Sequence, residues 1–201
     1  MNKPIFITGI GTGIGKTVIS AILVEKLKAD YWKPIQSGDL DSSDTIHVRN
    51  LVANSKSKFH PEVYRLTQPF SPHKSAELDG IRIEMGKFNL PLTENNLIIE
   101  GAGGLMVPLN EKDLLIDLIK KLDVEVILVV RHYLGSINHT LLSLVALKNY
   151  GIICKGIVYN GPADSYSEKA IFNYDQTPVL GHVPIFESLN SQAISEVQIS
   201  F

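Results

Sequence analysis

Residues 9–17 read Gly-Ile-Gly-Thr-Gly-Ile-Gly-Lys-Thr, four glycines closed by a lysine and a threonine. This combination suits phosphate chemistry. Glycines let the backbone fold its N–H groups around an anion, Lys16 can reach the outer phosphates, and the Thr17 hydroxyl can hold magnesium. The flanking residues agree: an apolar run at 5–8 predicts a strand, and Val18, Ile19, Ile22, Leu23 and Leu27 predict one apolar helix face over about 17–28. Strand, loop and helix in that order place Gly13, Ile14, Gly15, Lys16, Thr17 and Val18 at nucleotide phosphates. The strict pattern GxxxxGK[ST] would set its first glycine where Ile10 stands, so starting from Gly9 the loop is one residue longer. The dinucleotide fingerprint GxGxxG fails from Gly9, Gly11 and Gly13, whose sixth positions are Ile14, Lys16 and Val18. A nicotinamide oxidoreductase is therefore disfavoured.

Magnesium needs further oxygens, usually from carboxylates near the loop. Glu100 ends the run Leu97, Ile98, Ile99 and precedes Gly101, Ala102, Gly103 and Gly104, small residues that admit a ligand close to the backbone. Asp44 follows Ser42 and Ser43, a position that equally suits the positive end of a helix. Lys33 interrupts the apolar stretch Tyr31-Trp32-Lys33-Pro34-Ile35. Its ammonium either reaches water from an edge strand or meets an anion at the strand end, because burying it unpaired is costly. The six histidines lack the HExxH spacing of zinc sites and no GxSxG is present, so His47, His60, His132 and His182 read as ordinary surface or core residues. Magnesium is the one metal implied.

The elements that must position these groups are short apolar runs alternating with helical spacing. Runs at 31–35, 97–100, 124–130, 152–159 and 179–183 read as strands, and helices are expected to begin near Asp44, Asp113 and Ser136. Periodicity fades over 55–96, where Pro61, Pro69, Pro72 and Pro91 allow only short elements. The pattern predicts an α/β fold: a doubly wound, mostly parallel sheet with helices on both faces and ligands at the strand C-termini. With 201 residues and 44% hydrophobic content, one domain over 1–201 is expected.

Charge and cysteine content narrow the function classes. Nineteen basic residues against 21 acidic ones give a formal charge of −2 without long like-charge runs, which disfavours nucleic acid as a partner. No apolar stretch approaches the roughly 20 residues of a bilayer span, and the N-terminal MNKPIFITG turns glycine-rich too early for a signal peptide. A cytoplasmic protein is expected. The single cysteine, Cys154, lies in an apolar run and reads as core.

Taken together, several segments resemble the dethiobiotin synthetases: FITGIGTGIGKT, YWKPIQSG with Lys33 and Ser37, SSD with Asp44, SPH at 71–73, EGAGG from Glu100, LGSINH from Leu134, Asn160, and GHVP ending at Pro184. The longer loop is also that family's form. The resemblance implies that 7,8-diaminononanoate, CO2 and MgATP give dethiobiotin, ADP and phosphate. It implies Lys33, Lys16 and Thr12 as catalytic residues, and Thr17, Asp44 and Glu100 as magnesium ligands. Gly101, Ala102 and Gly103 would belong to the nucleotide site, with the Gly101 to Gly104 backbone also beside the carbamate end of the substrate near Thr12 and Ser37, and Asn160 and Pro184 would contact adenine. It further implies a homodimer in which Gly135, Ser136, Ile137 and Asn138 of one chain hold the carboxylate of the substrate bound by the other.

Some positions depart from that family's pattern. Ile10 and Gly11 stand where threonine and aspartate are usual, Gly13 where glutamate is common, and Arg131, His132 and Tyr133 also differ. Two other families with similar loops fit less well. An amide-forming synthase of cobalamin assembly would carry a second domain with a nucleophilic cysteine, which this chain is too short to hold. A cargo-partitioning ATPase would carry an extra loop lysine where Gly11 stands.

Overall fold

The computed structural model describes residues 3–200. In chain order its elements are β1 (Ile5–Gly9), α1 (Lys16–Leu27), β2 (Asp30–Trp32), β3 (Ile35–Ser37), α2 (Asp44–Leu51), β4 (Phe59–His60), β5 (Tyr64–Leu66) and α3 (Pro72–Leu78). There follow β6 (Leu97–Gly104), α4 (Leu115–Leu122), β7 (Glu125–Val130), α5 (Ser136–Asn149), β8 (Cys154–Asn160), α6 (Ser165–Tyr174), β9 (Val179–Val183) and α7 (Ser191–Glu196). Seven strands form one sheet in the order β4-β2-β6-β1-β7-β8-β9, and every pairing in it is parallel. β1 lies centrally between β6 and β7, with Ile5 beside Ile98 and Glu125. The chain runs outward from β1 in one direction and later in the other, so the glycine loop opens at the switch point where α/β sheets bind ligands.

Burial on both faces explains the continuous apolar strands. Along β7, Ile127 and Val129 join the core beneath α1, α2 and α7, whereas Leu128 and Val130 face α5 and α6. Phe6, Ile99 and Val126 pack on the opposite face from α1, with Leu115, Ile116, Leu118 and Ile119 of α4. The doubly wound arrangement expected from the sequence is therefore present.

Several boundaries differ from the sequence expectation. The run 31–35 is not one strand: β2 ends at Trp32, Lys33 and Pro34 turn away, and β3 pairs with β5 in a separate two-stranded sheet. Pro34 has no N–H for a ladder, and its carbonyl instead accepts from Val63 and Tyr64. β6 continues beyond Glu100 to Gly104, so Glu100 is internal to its strand. The helix expected near Asp113 begins at Leu115, because Asn110 accepts from the N–H groups of Lys112 and Asp113, tying them into a turn. Asp117 then accepts the Leu114 N–H at 2.7 Å. The helix α6, which follows its Asp164 cap, was not anticipated from the sequence.

Candidate active site

The glycine loop and the ends of β3 and β6 enclose a cavity of about 630 Å³. Its wall brings together Thr12, Gly13, Gly15, Lys16 and Thr17 with Lys33, Ser37, Asp44, Glu100, Gly101, Ala102 and Gly103. Residues from four separated segments thus meet in one cavity. Val18 lies instead at a neighbouring cavity with Thr17 and Asp44. Ile14 turns its side chain into the α1-side core, leaving its backbone to the loop.

Gly15 shows why the loop needs glycine. It caps α1 with φ of 96°, and a Cβ there would stand 2.0 Å from Nδ2 of Asn160. That Asn160 amide donates to the Ile14 carbonyl at 2.7 Å, so the end of β8 is fastened to the phosphate loop. Lys16 is buried and donates to the Gly11 carbonyl at 3.0 Å. Burial lowers its ammonium to about 8; Glu100 and Asp44 oppose that loss, while neighbouring Lys33 adds to it.

Three oxygens converge at the cavity floor. Thr17 Oγ1 lies 3.0 Å from Asp44 Oδ1 and 2.9 Å from Glu100 Oε1. One hydroxyl has a single proton and cannot donate to both carboxylates at once, so the cluster is rich in acceptors. A hydroxyl, two carboxylates and the oxygens of a bound phosphate fit the hard, small magnesium ion, which typically takes one or two carboxylates beside phosphate and water. The residues present therefore fit the metal.

Lys33 is the principal counter-charge here. It is 4% exposed, forms an ion pair with Asp44, and reaches Glu100 Oε1 at 3.2 Å. The edge-strand alternative is thereby overturned: the ammonium is buried between two carboxylates. Burial works against its charge, but Glu100 and Asp44 outweigh that cost and hold its pKa above the ordinary lysine value. Asp44 responds in the opposite sense: burial is the largest single influence and raises its pKa, but Lys33, the Thr17 hydroxyl and Lys16 together lower it overall.

Two supporting residues escaped the sequence reading. Tyr31 is fully buried and donates from its hydroxyl to Glu100 Oε2 at 2.9 Å. Gln36 is also buried; its Oε1 accepts the Asp44 N–H at 3.3 Å, while its Nε2 donates to the Gly38 carbonyl at 3.0 Å. No local pattern pointed to the Tyr31 hydroxyl, whose partner carboxylate lies on the neighbouring strand 69 residues away. The Ser37 hydroxyl is buried, lines the cavity and has no hydrogen-bond partner within the protein.

The remaining expected residues lie away from the cavity wall. Pro184 immediately follows β9 and is exposed. Gly135 caps α5 with φ of 104°, and Ser136 is the first helical residue. His132 and His182 are also less ordinary than anticipated: the rings of both stack on Tyr159, and both bond to Glu168. Cys154 is half-buried against the core, and burial raises its thiol to about 11.

The central strand, glycine loop and converging oxygens define a P-loop nucleotide-binding protein. A family model described as an AAA domain matches residues 3–193. The fold is similar to that of the septum-site-determining protein MinD, complexed with Mg-ADP, from Pyrococcus horikoshii OT3: TM-score 0.59, 15% identity, 97% of this chain and 93% of that one. A ParA family ATPase from Chlorobium tepidum TLS gives TM-score 0.55 and 14% identity, over 97% of each chain. At such identities the likeness concerns the fold.

Much closer sequences are named ATP-dependent dethiobiotin synthetase BioD. The protein from Christiangramia forsetii is 53% identical over 192 residues, covering 94% of this chain and 92% of that protein. Its counterpart from Cytophaga hutchinsonii is 48% identical over 194 residues, covering 96% and 94%. The chain belongs to the ATP-dependent dethiobiotin synthetase family.

Proposed function

We propose that this protein closes the ureido ring of dethiobiotin from 7,8-diaminononanoate, CO2 and ATP. The observation that carries this reading is the placement of Lys33 beside the P-loop, buried between Asp44 and Glu100 and lining one cavity with the unpartnered Ser37 hydroxyl. In the reaction, one substrate amine adds to CO2 and loses a proton, giving a carbamate. The carbamate oxygen attacks the γ-phosphorus and ADP leaves. The second amine then attacks the carbonyl of the mixed anhydride, the ring closes, and phosphate departs.

Negative charge accumulates at each stage, and positioned cations are the main requirement. Lys16 would hold the outer phosphates, and Lys33 would turn from its carboxylate partners to the carbamate and transferring phosphoryl oxygens. Thr12 and Ser37 would position the carbamate end beside Gly101, Ala102 and Gly103. Thr17, Asp44 and Glu100 would hold magnesium, which when bound supplies Lewis-acid neutralisation of phosphate charge. Asn160 and Pro184 would contact adenine, an assignment supported by the bond that brings Asn160 onto the loop.

The acting species would be a cytoplasmic homodimer of single-domain chains. No helix among the described residues is long and apolar enough to cross a membrane. Leu134, Leu142 and Val145 expose apolar surface on and beside α5. The nearby Gly135 has no side chain to cap the helix; the Ser136 N–H donates to the Tyr133 carbonyl at 2.9 Å, and the N–H groups of Ile137 and Asn138 would be left to meet the substrate carboxylate of the other protomer beside Ser136. Neither nucleic acid nor a membrane is required as a partner.

The direct test is ADP release with MgATP and bicarbonate, with and without the diamine, alongside mass spectrometry of the product. Diamine-dependent ADP and dethiobiotin are expected. ATP binding with neither product would overturn the substrate assignment and redirect attention to the switch-like ATPases that share the fold.

A further inference from the structure

Glu100 is a buried carboxylate whose two oxygens have different company. Oε1 meets Thr17 and Lys33, both on the cavity wall, at 2.9 and 3.2 Å. Oε2 meets the hydroxyl of Tyr31 at 2.9 Å. The register of the sheet creates this division. Tyr31 pairs with Ile98 on the neighbouring strand, and Glu100 lies two residues beyond Ile98, so it shares that face. The phenol ring packs against Phe59 with centroids 6.1 Å apart, and its hydroxyl reaches Oε2.

The chemical difference between divalent ions makes this division consequential. Magnesium demands compact octahedral geometry, whereas calcium is larger and readily accepts both oxygens of a carboxylate. A carboxylate whose second oxygen is already engaged is restricted to one-oxygen ligation. Partners one shell out from a metal also orient its ligands, and their loss commonly weakens metal affinity by about tenfold or more.

We propose that Tyr31 is a positioning residue for metal selectivity: its hydroxyl reserves Oε2 of Glu100, leaving Oε1 as the single ligand oxygen and favouring magnesium over calcium. On Asp44 the second oxygen, Oδ2, is held instead by Lys33, a flexible ammonium that the proposed reaction draws toward substrate, whereas the phenol of Tyr31 is fixed in the core and keeps Oε2 of Glu100 engaged throughout. The inference rests on the metal–nucleotide reading of the site given above. Tyr31 is not among the residues that line the cavity and acts through Glu100, which is.

The experiment is calorimetric titration of the intact protein with ADP in magnesium, in calcium, and in metal-chelating buffer. The wild type is expected to favour the magnesium complex by about tenfold or more. Tyr31→Phe should lose about tenfold in MgADP affinity, retain CaADP affinity within about twofold, and bind metal-free ADP unchanged. Phe59→Leu disturbs the ring packing while retaining the hydroxyl, and it should preserve the magnesium preference. An unchanged preference in Tyr31→Phe overturns the proposal, as does an equal loss in all three titrations or a narrowed preference in Phe59→Leu. A wild type whose ADP affinity ignores the metal overturns the underlying site reading as well, which separates that failure from a failure of Tyr31 alone.

Discussion

Asn160, the last residue of β8, donates its side-chain amide to the carbonyl of Ile14 at 2.7 Å, across 146 residues of sequence. The same nitrogen stands where a Cβ on Gly15 would project, so the two positions share one small space. Asn160→Ala is expected to cost about 1 kcal/mol of stability, the scale of a lost hydrogen bond, and to weaken ADP binding. Gly15→Ala should cost more, because it combines left-handed backbone strain with the collision. Since the collision partner is absent in Asn160→Ala, the double variant should be less impaired than the sum of the singles. Thermal unfolding and ADP titration of all four proteins check this, and strict additivity would contradict it.

Lys33 neutralises two carboxylates at once, and this predicts a dependence on nucleotide and metal. Lys33→Ala should lower ring closure by about 100-fold or more, the scale seen when a group stabilising transition-state charge is removed. It should also destabilise the free protein by about 3 kcal/mol, because Asp44 and Glu100 are left facing each other without their cation. MgADP should restore much of that stability, since the metal supplies positive charge to the same carboxylates. Dethiobiotin formation measured by mass spectrometry, and melting curves with and without MgADP, test both halves. Full activity in Lys33→Ala would remove the residue from the mechanism.

The extent to which this site was legible in the sequence follows from the range of the interactions. The loop from Gly9 to Thr17 carries its chemistry in consecutive residues, and a strand before it and a helix after it follow from local periodicity. Glu100 and Asp44 were recognisable from their settings, an apolar run and a serine-flanked helix start. What local patterns did not contain was the distance between them. Lys33 read as either solvated or paired until the turn at Pro34 and the placement of Glu100 resolved the choice. Tyr31 read as one more apolar strand residue, because the partner of its hydroxyl lies 69 residues away. The stack of His132, Tyr159 and His182 is likewise a product of register between β8 and β9 and of the loop after β7.

Asp30 is one of the carboxylates that tie the stability of the fold to pH. It is fully buried at the start of β2 and accepts hydrogen bonds from Lys58 N–H, Thr93 Oγ1 and Asn95 Nδ2, with His60 Nε2 at 2.9 Å. These bonds fasten the irregular 55–96 region to the sheet. Burial disfavours its charge, but the bonds from Asn95, Lys58, Thr93 and His60 prevail and hold its carboxyl below the ordinary value. A carboxyl depressed on folding stabilises fully above its unfolded value near ~4, and that contribution is lost as pH falls through the lower folded value. Asp30→Asn should therefore cost about 2–3 kcal/mol near neutrality, with the gap to the wild type closing below about pH 4. Denaturant unfolding of both proteins between pH 7 and pH 3 measures the gap; a gap independent of pH would contradict the assignment.

The α5 face makes a prediction that joins assembly to substrate binding. Leu142 and Val145 are three residues apart, so they project from one side of the helix, and both are more than half exposed in the single chain, at 58% and 53%. If that side meets a second protomer, Leu142→Glu buries a charge in an apolar contact and should shift the protein to monomer in sedimentation. The carboxylate site at residues 135–138 serves the other protomer in this arrangement. Dissociation should therefore raise KM for the diamine by about tenfold or more, the scale of a lost charge-assisted hydrogen bond, while ADP affinity stays near that of the wild type because the P-loop cavity lies within one chain. A monomer with unchanged KM would refute the shared site while leaving the interface intact as a structural contact. A dimer that survives the substitution would place the interface elsewhere.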